Sequence, residues 1–240
     1  MMGLRGGADI VVATPGRLLD LVEHNAIQLG KVAHLVLDEA DRLLDLGFAE
    51  ELQRVLALLP AKRQNLFFSA TMPKEIEALA AQFLNDPIKV SVAPQSTTAE
   101  RVRQRAIFVN QAEKQALLHL MLKSEEIDRA LIFTRTKHGA DRVVRFLEGA
   151  GIDAFAIHGN KSQGQRTTAL QAFRQGKVKL LVATDIAARG IDVSGVSHVI
   201  NFEIPNVAEQ YVHRIGRTAR AGASGTAISF VADDERTYLR

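Results

Sequence analysis

The stretch "LVLDEADRLLD" at residues 35–45 sets the interpretation of the whole chain. Three apolar residues lead straight into Asp38, Glu39 and Asp41, and a helical pattern follows. A short apolar run of this kind is typical of a strand in a parallel sheet covered on both faces. Carboxylates at the end of such a strand are unfavourable unless a partner compensates their charge. The stretch therefore predicts an α/β fold with a charged site at a strand end.

The same alternation of strands and helices continues through the chain in two blocks. Apolar runs of the first block predict strands at 8–15, 32–38, 64–71 and 88–92. Those of the second block predict strands at 103–109, 129–136, 153–160, 178–185, 197–205 and 226–231. Between the blocks, "APQSTTAE" lacks any large apolar residue and has the composition of a linker. We therefore expect two parallel-sheet domains in tandem, at 1–92 and 101–240, joined by a linker at 93–100.

Two helices of the second block begin with the spacing of a capping box. Ser162 is followed three residues later by Gln165, and Asn206 by Glu209. In this motif the two side chains and the two backbone N–H groups satisfy each other. We expect helices to begin at both places.

Composition excludes several classes of protein. The 240 residues include no cysteine, which excludes disulfides and thiolate metal sites and favours a cytoplasmic protein. No apolar run reaches membrane-spanning length, and no signal peptide is recognisable, so no membrane association is expected. Residues 1–92 carry 12 acidic and 9 basic residues, and residues 93–240 carry 15 and 21. On charge alone, ordinary surface variation is the favoured explanation, and a basic second half is only a weak indication of a polyanionic partner.

Polar or glycine-containing segments follow most of the predicted strands. They read "ATPGR", "DEAD" and "SAT" in the first block, and "TRT", "HGN" and "ATDIAARGID" in the second. In open parallel sheets, ligands bind at the carboxyl ends of the strands. The coincidence predicts a ligand site along this edge in each block.

An Asp-Glu pair after an apolar strand suits a nucleotide-hydrolysing site. Asp38 would hold Mg²⁺, and Glu39 would orient or deprotonate the attacking water. A divalent ion would also compensate the clustered carboxylates. The alternative is a simple helix start, where acidic residues favour the positive end of the helix dipole.

The segment "HRIGRTARAG" at 213–222 places arginines at every third position. No acidic residue occurs between Glu209 and Asp233, so no neighbour in sequence neutralises them. Guanidinium groups in such a cluster suit a phosphate, and one at a γ-phosphate acts as an arginine finger. A solvated basic helix face is the alternative.

Taken together and in this order, these segments resemble the DEAD-box ATP-dependent RNA helicases. The matching stretches also include "GG" at 6–7, "LIFTRT" at 131–136 and "HGNKSQGQR" at 158–166. The segments "LFFSATMP" and "HRIGRTARAG" resemble those of a bacterial RhlE-like branch of the family. The resemblance implies two RecA-like domains, with ATP, Mg²⁺ and RNA bound across the cleft between them and RNA strands separated locally as ATP turns over.

The resemblance also implies a role for individual residues. The catalytic residues would be Asp38, Glu39, Arg217 and Arg220, with Asp38 as the Mg²⁺ ligand and Arg220 as the finger. Gly190 and Asp192, with the two arginines, would bind the nucleotide. Coupling between the nucleotide site and the domains would rest on Asp41, Ser69, Thr71 and His213. The RNA backbone would be bound by Gly7, Thr14, Pro15, Gly16, Arg17, Arg135, Gly159, Gln163, Arg166, Thr184 and Asp185.

The sequence lacks two segments that the resemblance to this family leads us to expect. No G-x-x-x-x-G-K-[ST] phosphate loop occurs in the 240 residues, and the family's adenine-reading glutamine segment is missing. We expect the first domain to be incomplete at its N-terminal side. Without the loop the triphosphate loses its main cradle, so this chain alone is expected to be inactive.

Three functions remain open. The first is the RNA helicase core, and the second is an ATP-independent RNA-binding module that uses the second domain. The third is a DNA helicase, against which "DEAD" and "HRIGRTAR" argue. Few aromatic residues, 5% of the chain and no Trp, fit backbone binding better than base stacking. Protein partners in RNA processing or ribosome assembly are an expectation of the resemblance.

Overall fold

Short strands alternate with helices in both halves of the chain. The computed structural model describes residues 7–91, 101–188, 193, 195–219 and 224–239. These residues form two units, one ending at Ser91 and one that follows it. The predicted linker at 93–100 lies outside the described residues. Each unit has the α/β fold with a parallel sheet that the sequence predicts.

The first unit is built around two parallel strands. They are β1 (His34–Leu37) and β2 (Gln64–Phe67), paired from His34 opposite Gln64 to Leu37 opposite Phe67. Its helices are α1 (Pro15–Glu23), α2 (Ala40–Asp45), α3 (Ala49–Ala57) and α4 (Lys74–Phe83). The small core joins β1, α3 and α4 through Leu37, Leu52, Leu79 and Phe83.

Two predicted strands of the first unit are not formed. Residues 8–14 and 88–91 have no strand structure, and Ile10, Val12 and Ile88 are 83%, 95% and 92% exposed. An apolar run becomes a strand only if a neighbour accepts and donates its backbone hydrogen bonds. Within residues 7–91 the only strands that pair are β1 and β2. The predictions at 8–15 and 88–92 were therefore wrong, because apolar pattern alone does not supply a pairing partner.

The second unit contains a six-stranded, all-parallel sheet. Its strands are β3 (Val102–Phe108), β4 (Ala130–Phe133), β5 (Ala154–Ile157), β6 (Leu180–Ala183), β7 (His198–Asn201) and β8 (Gly225–Val231). They lie side by side in the order β3-β8-β7-β4-β6-β5. The helices are α5 (Lys114–Ser124), α6 (Lys137–Gly149), α7 (Gln163–Arg174), α8 (Asp185–Ala188) and α9 (Ala208–Ile215), with 3₁₀ helices at Gln111–Glu113 and Asp233–Leu239.

Helices cover this sheet on both faces. Along β4, Ala130 and Ile132 pack with residues of α5 and α6 in one core cluster. Leu131 and Phe133 point the other way and pack with residues of α7 in a second cluster. Alternate residues of a strand face opposite sides of the sheet, so a continuous apolar run is what a doubly covered strand requires. All four β4 residues are buried.

The two predicted capping boxes have different outcomes. Ser162 and Gln165 form the complete box at the start of α7, as predicted. The second prediction was wrong, because α9 begins at Ala208 with Val207 in the cap position and no capping side chain. The Asn206 side chain faces Arg135 instead, with 3.5 Å between its Oδ1 and Arg135 Nη1. A tertiary contact here replaces the local one.

Candidate functional site

The Asp38–Glu39 pair lies in the turn between β1 and α2. Both residues are exposed. The Asp38 carboxylate accepts the Glu39 backbone N–H at 2.9 Å, and Arg42 donates to Glu39 Oε2 at 2.7 Å. Glu39 has φ of +51°, a left-handed conformation that is unfavourable for a residue with a side chain. Such conformations persist where surrounding structure holds them, often at functional sites. The turn thus presents two carboxylates to solvent at the carboxyl end of the sheet.

Asp41 joins this turn to the segment after β2. Its Oδ2 accepts from both the backbone N–H and the side-chain hydroxyl of Thr71, at 3.1 and 3.0 Å. The Asp41 backbone N–H donates to Ser69 Oγ at 3.2 Å, and that hydroxyl donates to the Thr71 carbonyl at 2.7 Å. Because β1 and β2 are parallel neighbours, the segments that follow them meet at one edge. The structure thus brings together three of the four predicted coupling residues.

Hydrogen bonding changes the acidity of Asp41. Burial alone raises the pKa of this carboxyl, but hydrogen bonds from the Thr71 hydroxyl, the Arg42 and Thr71 N–H groups and Ser69 outweigh it and lower the pKa below 3.8. A lowered pKa means that the charged form stabilises the fold above the unfolded value near 3.8. That contribution is lost as pH falls through the folded pKa.

This link can be tested by carboxyl carbon NMR titration. We expect the Asp41 pKa of the wild-type chain to lie below 3.8. In the Thr71→Val variant it rises, because valine keeps the shape but removes the hydroxyl donor. Thr97→Val, a threonine-to-valine change outside the described residues, is the matched control. The same Asp41 midpoint in all three proteins would contradict the assigned hydrogen bond.

The predicted RNA-binding residues of the first unit lie at the start of α1 and in the segment before it. Thr14 is the cap residue of α1, and Pro15, Gly16 and Arg17 form its first turn. Thr14, Gly16 and Arg17 are exposed, so the first N–H groups of α1 face outward. Arg17 also forms an ion pair with Asp20. Gly7 adopts φ of +83°, which glycine tolerates best.

In the second unit, the predicted RNA-binding residues follow three strands that lie side by side. Arg135 comes after β4, Thr184 and Asp185 after β6, and Gly159 after β5. Gln163 and Arg166 lie in the first turn of α7. Because all strands are parallel, these segments share one edge of the sheet. The structure therefore brings this predicted set together.

A buried histidine shapes the loop that carries Gly159. His158 Nε2 lies 2.9 Å from the Asp141 carboxylate, and its Nδ1 accepts the Asn160 backbone N–H at 3.3 Å. These partners place the ring proton on Nε2. Lys161 also pairs with Asp141, at 3.0 Å. Burial raises the pKa of Asp141, but its hydrogen bonds to His158 and Lys161 outweigh this and lower it. The ring holds the loop so that Gly159 and Asn160 stay exposed.

Arg214 is the residue of this region whose role the sequence did not reveal. Its Nε and Nη2 donate to the two oxygens of Asp185, at 2.6 and 2.7 Å. Its Nη1 donates to Asn201 Oδ1 at 3.1 Å and to the Glu203 carbonyl at 2.6 Å. The side chain is buried, 2% exposed, with its guanidinium over the Phe133 ring. It therefore joins α9 to the ends of β6 and β7.

His213 and Arg217 flank Arg214 in sequence and are half-buried. Arg217 Nε donates to the His213 carbonyl at 3.2 Å. Together with Asp185, the three residues line a small depression at this edge of the sheet. The predicted residues Gly190, Asp192 and Arg220 lie outside the described residues.

The carboxylates of the described residues suit a magnesium site completed by waters and substrate phosphates better than a site built from protein ligands alone. No group of three or more His, Cys, Asp or Glu side chains in the described ranges is arranged to hold a metal ion. Mg²⁺ commonly uses one or two carboxylates and completes its shell with waters and substrate phosphates. The exposed Asp38 fits that requirement. Each helix in the described part of the chain is too short or too polar to cross a membrane.

Comparison with protein families places both units. The DEAD/DEAH box helicase family matches residues 1–79. The helicase conserved C-terminal domain matches residues 112–222.

Curated relatives match almost the whole chain. The ATP-dependent RNA helicase DBP2 of Saccharomyces cerevisiae is 46% identical over 97% of the chain, which covers 43% of that protein. The Neurospora crassa protein of the same name is 44% identical over 99% of the chain, again 43% of the relative. The chain therefore spans less than half the length of these relatives.

Solved structures agree with this placement. S. cerevisiae Dbp5 bound to RNA and ADP BeF3 is 33% identical, with a TM-score of 0.85 over 97% of this chain and 62% of that one. The E. coli DEAD-box protein SrmB, bound to the regulator of ribonuclease activity A, is 42% identical over 57% of this chain and 82% of that one, with a TM-score of 0.55. Two matching families in tandem, relatives over nearly all its residues and the shared fold lead to one conclusion: this chain belongs to the DEAD-box family of helicases.

Proposed function

We propose that this chain is the part of an ATP-dependent RNA helicase that carries the hydrolytic carboxylates and an RNA-binding edge. The observation that carries the proposal is the junction in the first unit. There the exposed Asp38–Glu39 pair lies next to Asp41, which is hydrogen-bonded to Thr71. Enzymes often link turnover to the movement of loops or domains, and the hydrogen bonds from Thr71 to Asp41 would link the hydrolytic pair to the segment after β2. The proposed domains are 1–92 and 101–240, with the linker at 93–100.

In this proposal the first unit hydrolyses ATP. Asp38 would hold Mg²⁺, which when bound neutralises charge on the phosphates. Glu39 would orient the attacking water for in-line attack and accept its proton. Arg42, whose Nη1 donates to Glu39 Oε2 at 2.7 Å, holds that carboxylate in place. Arg217 and Arg220 would stabilise the charge of the transferring phosphoryl group, and Gly190 and Asp192 would contact the nucleotide.

The second unit would bind the RNA backbone. Arg135 and Arg166 supply positive charge, and the Gly159 loop and Thr184 supply hydrogen-bonding groups along the same edge. Contacts to phosphates and ribose hydroxyls carry little sequence information but distinguish RNA from DNA. Gly7 and the start of α1, from Thr14 to Arg17, would add backbone contacts from the first unit. His213 would join Asp41, Ser69 and Thr71 as a coupling residue.

Fluorescence anisotropy with a labelled single strand tests the RNA-binding role. We expect the 240-residue chain to bind an RNA strand more tightly than DNA of the same sequence. Arg166→Ala weakens RNA binding roughly tenfold, because one charge-assisted contact is lost. Arg174→Ala, at the other end of the same helix, is the matched control and leaves binding nearly unchanged. Equal affinity for RNA and DNA, or equal effects of the two substitutions, would contradict the proposal.

An ATP-independent RNA-binding module is the second candidate. It is favoured by the edge of the second sheet, where Arg135, Gly159 and Thr184 follow three neighbouring strands within one unit. The test uses a chimera that supplies a phosphate loop. In this chimera, RNA affinity that is the same with and without ATP, and is unchanged in Glu39→Gln, would favour the module. A rise in RNA affinity on adding ATP and Mg²⁺ would favour the helicase.

Finer assignments are also proposals. The stretches "LFFSATMP" and "HRIGRTARAG" support a bacterial RhlE-like branch. The lack of cysteine supports a cytoplasmic location. Protein partners in RNA processing or ribosome assembly are also proposed, on the basis of the family resemblance.

A further inference from the structure

A buried ionic network crosses the carboxyl edge of the second sheet. Strands β3, β8, β7 and β4 are consecutive in the sheet. Lys114 begins α5 after β3, Glu235 lies in the 3₁₀ helix after β8, and Arg135 follows β4. The carbonyl of Phe202, just after β7, lies within the same group of contacts. Residues that are up to 121 positions apart thus meet at one edge.

Lys114 has a complete set of acceptors. Its side chain is 0% exposed. Its Nζ donates to the Phe202 carbonyl at 2.9 Å, to the Phe230 carbonyl at 3.3 Å, and to Glu235 Oε2. A lysine ammonium has three donors, and all three are used. Lys114 therefore fixes the position of one oxygen of Glu235.

Glu235 has one well-satisfied oxygen and one that faces Arg135. Its Oε2 accepts from Lys114 and from the Ala232 backbone N–H at 3.0 Å. No hydrogen-bond donor among the described residues reaches its other oxygen, Oε1, which is buried. Arg135 Nη2 lies 3.5 Å from Oε1, as an ion pair. A buried carboxylate oxygen attracts the nearest cation strongly, because little water screens it.

Contacts fix the backbone of Arg135 and orient its guanidinium. Its backbone N–H donates to Glu203 Oε2 at 2.7 Å, which anchors the main chain after β4. The guanidinium lies between Glu235 and Asn206, with both contacts at 3.5 Å. The side chain remains 30% exposed. It is therefore oriented by its neighbours and still open to an anion from solvent.

We propose that Glu235, fixed by Lys114, is a positioning residue that orients Arg135 toward an RNA phosphate. The inference rests on the proposed function, in which Arg135 contacts the RNA backbone. A guanidinium that is already oriented loses less rotational freedom when it binds phosphate. The charges of Lys114 and Glu235 offset each other. The pair therefore orients the Arg135 guanidinium without changing the net charge of the site.

The sign of the effect separates positioning from simple electrostatics. Removing a carboxylate near a phosphate site normally strengthens binding, because a repulsion is lost. If Glu235 orients Arg135, Glu235→Gln weakens RNA binding instead. Glutamine keeps the shape of the side chain and an acceptor for Ala232, but it loses the charge that attracts Arg135.

The experiment measures the affinity of the 240-residue chain for single-stranded RNA at several salt concentrations. Arg135→Ala lowers the slope of log affinity against log salt by about 0.7, the value for one phosphate contact on a single strand. Glu235→Gln is expected to give the same loss of slope with affinity reduced roughly threefold to tenfold. The double variant that combines Arg135→Ala with Glu235→Gln is expected to bind RNA no more weakly than Arg135→Ala alone. Glu125→Gln, which removes the carboxylate from the Arg105 ion pair on the same unit, is the matched control.

Folding is controlled by a second variant. Glu235→Gln leaves the Lys114 charge buried without a counter-charge, and this alone can unfold the unit. Lys114→Met combined with Glu235→Gln removes both charges, and it must show the same loss of slope. A purely structural role would leave the slope of any folded variant at the wild-type value.

The outcomes are distinguishable. If Arg135→Ala weakens binding but the Glu235 variants keep the wild-type slope or bind more tightly, the inference is overturned and the proposed function stands. If Arg135→Ala has no effect, Arg135 is not an RNA contact and the inference fails with that assignment. If the wild-type chain does not bind RNA, the proposed function itself fails, together with the inference.

Discussion

Replacing Arg214 with alanine is expected to lower the free energy of unfolding of the second unit by about 3–5 kcal/mol. The change removes one partner of a buried, two-pronged ion pair and leaves Asp185 without its cation. It also leaves Asn201 Oδ1 and the Glu203 carbonyl without the donor that Arg214 supplies. The Asp185 side chain is 20% exposed, so water regains some access and the lower end of the range applies. Arg214→Lys recovers only part of the loss, because an ammonium does not form the planar fork.

Tyrosine fluorescence makes this measurement specific to the second unit. The chain has two tyrosines and no tryptophan, and both tyrosines, Tyr211 and Tyr238, belong to that unit. A denaturant titration of the whole chain therefore reports the unit directly. Arg217→Ala, three residues away and half-buried, is the control and is expected to cost less than about 1 kcal/mol. Equal stability of the Arg214 and Arg217 variants would contradict the buried role of Arg214.

Glu39→Gln is expected to reduce ATP hydrolysis at least about 100-fold, the lower range for loss of a general base. The amide keeps the size of the side chain but no longer accepts a proton from the attacking water. Because this chain lacks a phosphate loop, the assay uses a chimera in which one of the relatives supplies the residues that precede it. Glu50→Gln, an exposed glutamate in the first turn of α3, is the matched control and keeps the parent rate. Hydrolysis by Glu39→Gln at the parent rate would show that Glu39 has no role in the chemistry.

The fold was predictable wherever a strand has partners on both sides. All four residues of β4, from Ala130 to Phe133, are apolar and buried, so pattern and structure agree. The apolar residues Ile10 and Val12 show an equally good pattern but are exposed. What separates the two cases is pairing with neighbouring strands, which is a tertiary property and is invisible to local pattern.

The candidate site was predictable at the level of segments but not of contacts. Arg214 and Arg217 share one local motif, and only burial against Asp185 distinguishes the first. Lys114 and Glu235 are unremarkable in sequence, because their contact joins residues 121 positions apart. By contrast, the capping box of Ser162 and Gln165 was predicted correctly, because it joins residues only three positions apart. Long-range ionic pairs are therefore the part of this site that the sequence could not supply.

The ATPase rate of the chimera, measured with RNA, with DNA of the same sequence and with no nucleic acid, tests the proposed function most directly. The proposed function assigns ATP hydrolysis to the carboxylates after β1, and recognition of ribose and phosphate to the edge of the second sheet. It predicts that RNA raises the rate several-fold and that DNA leaves it near the basal value. Equal rates in all three conditions, or equal stimulation by DNA, would contradict it.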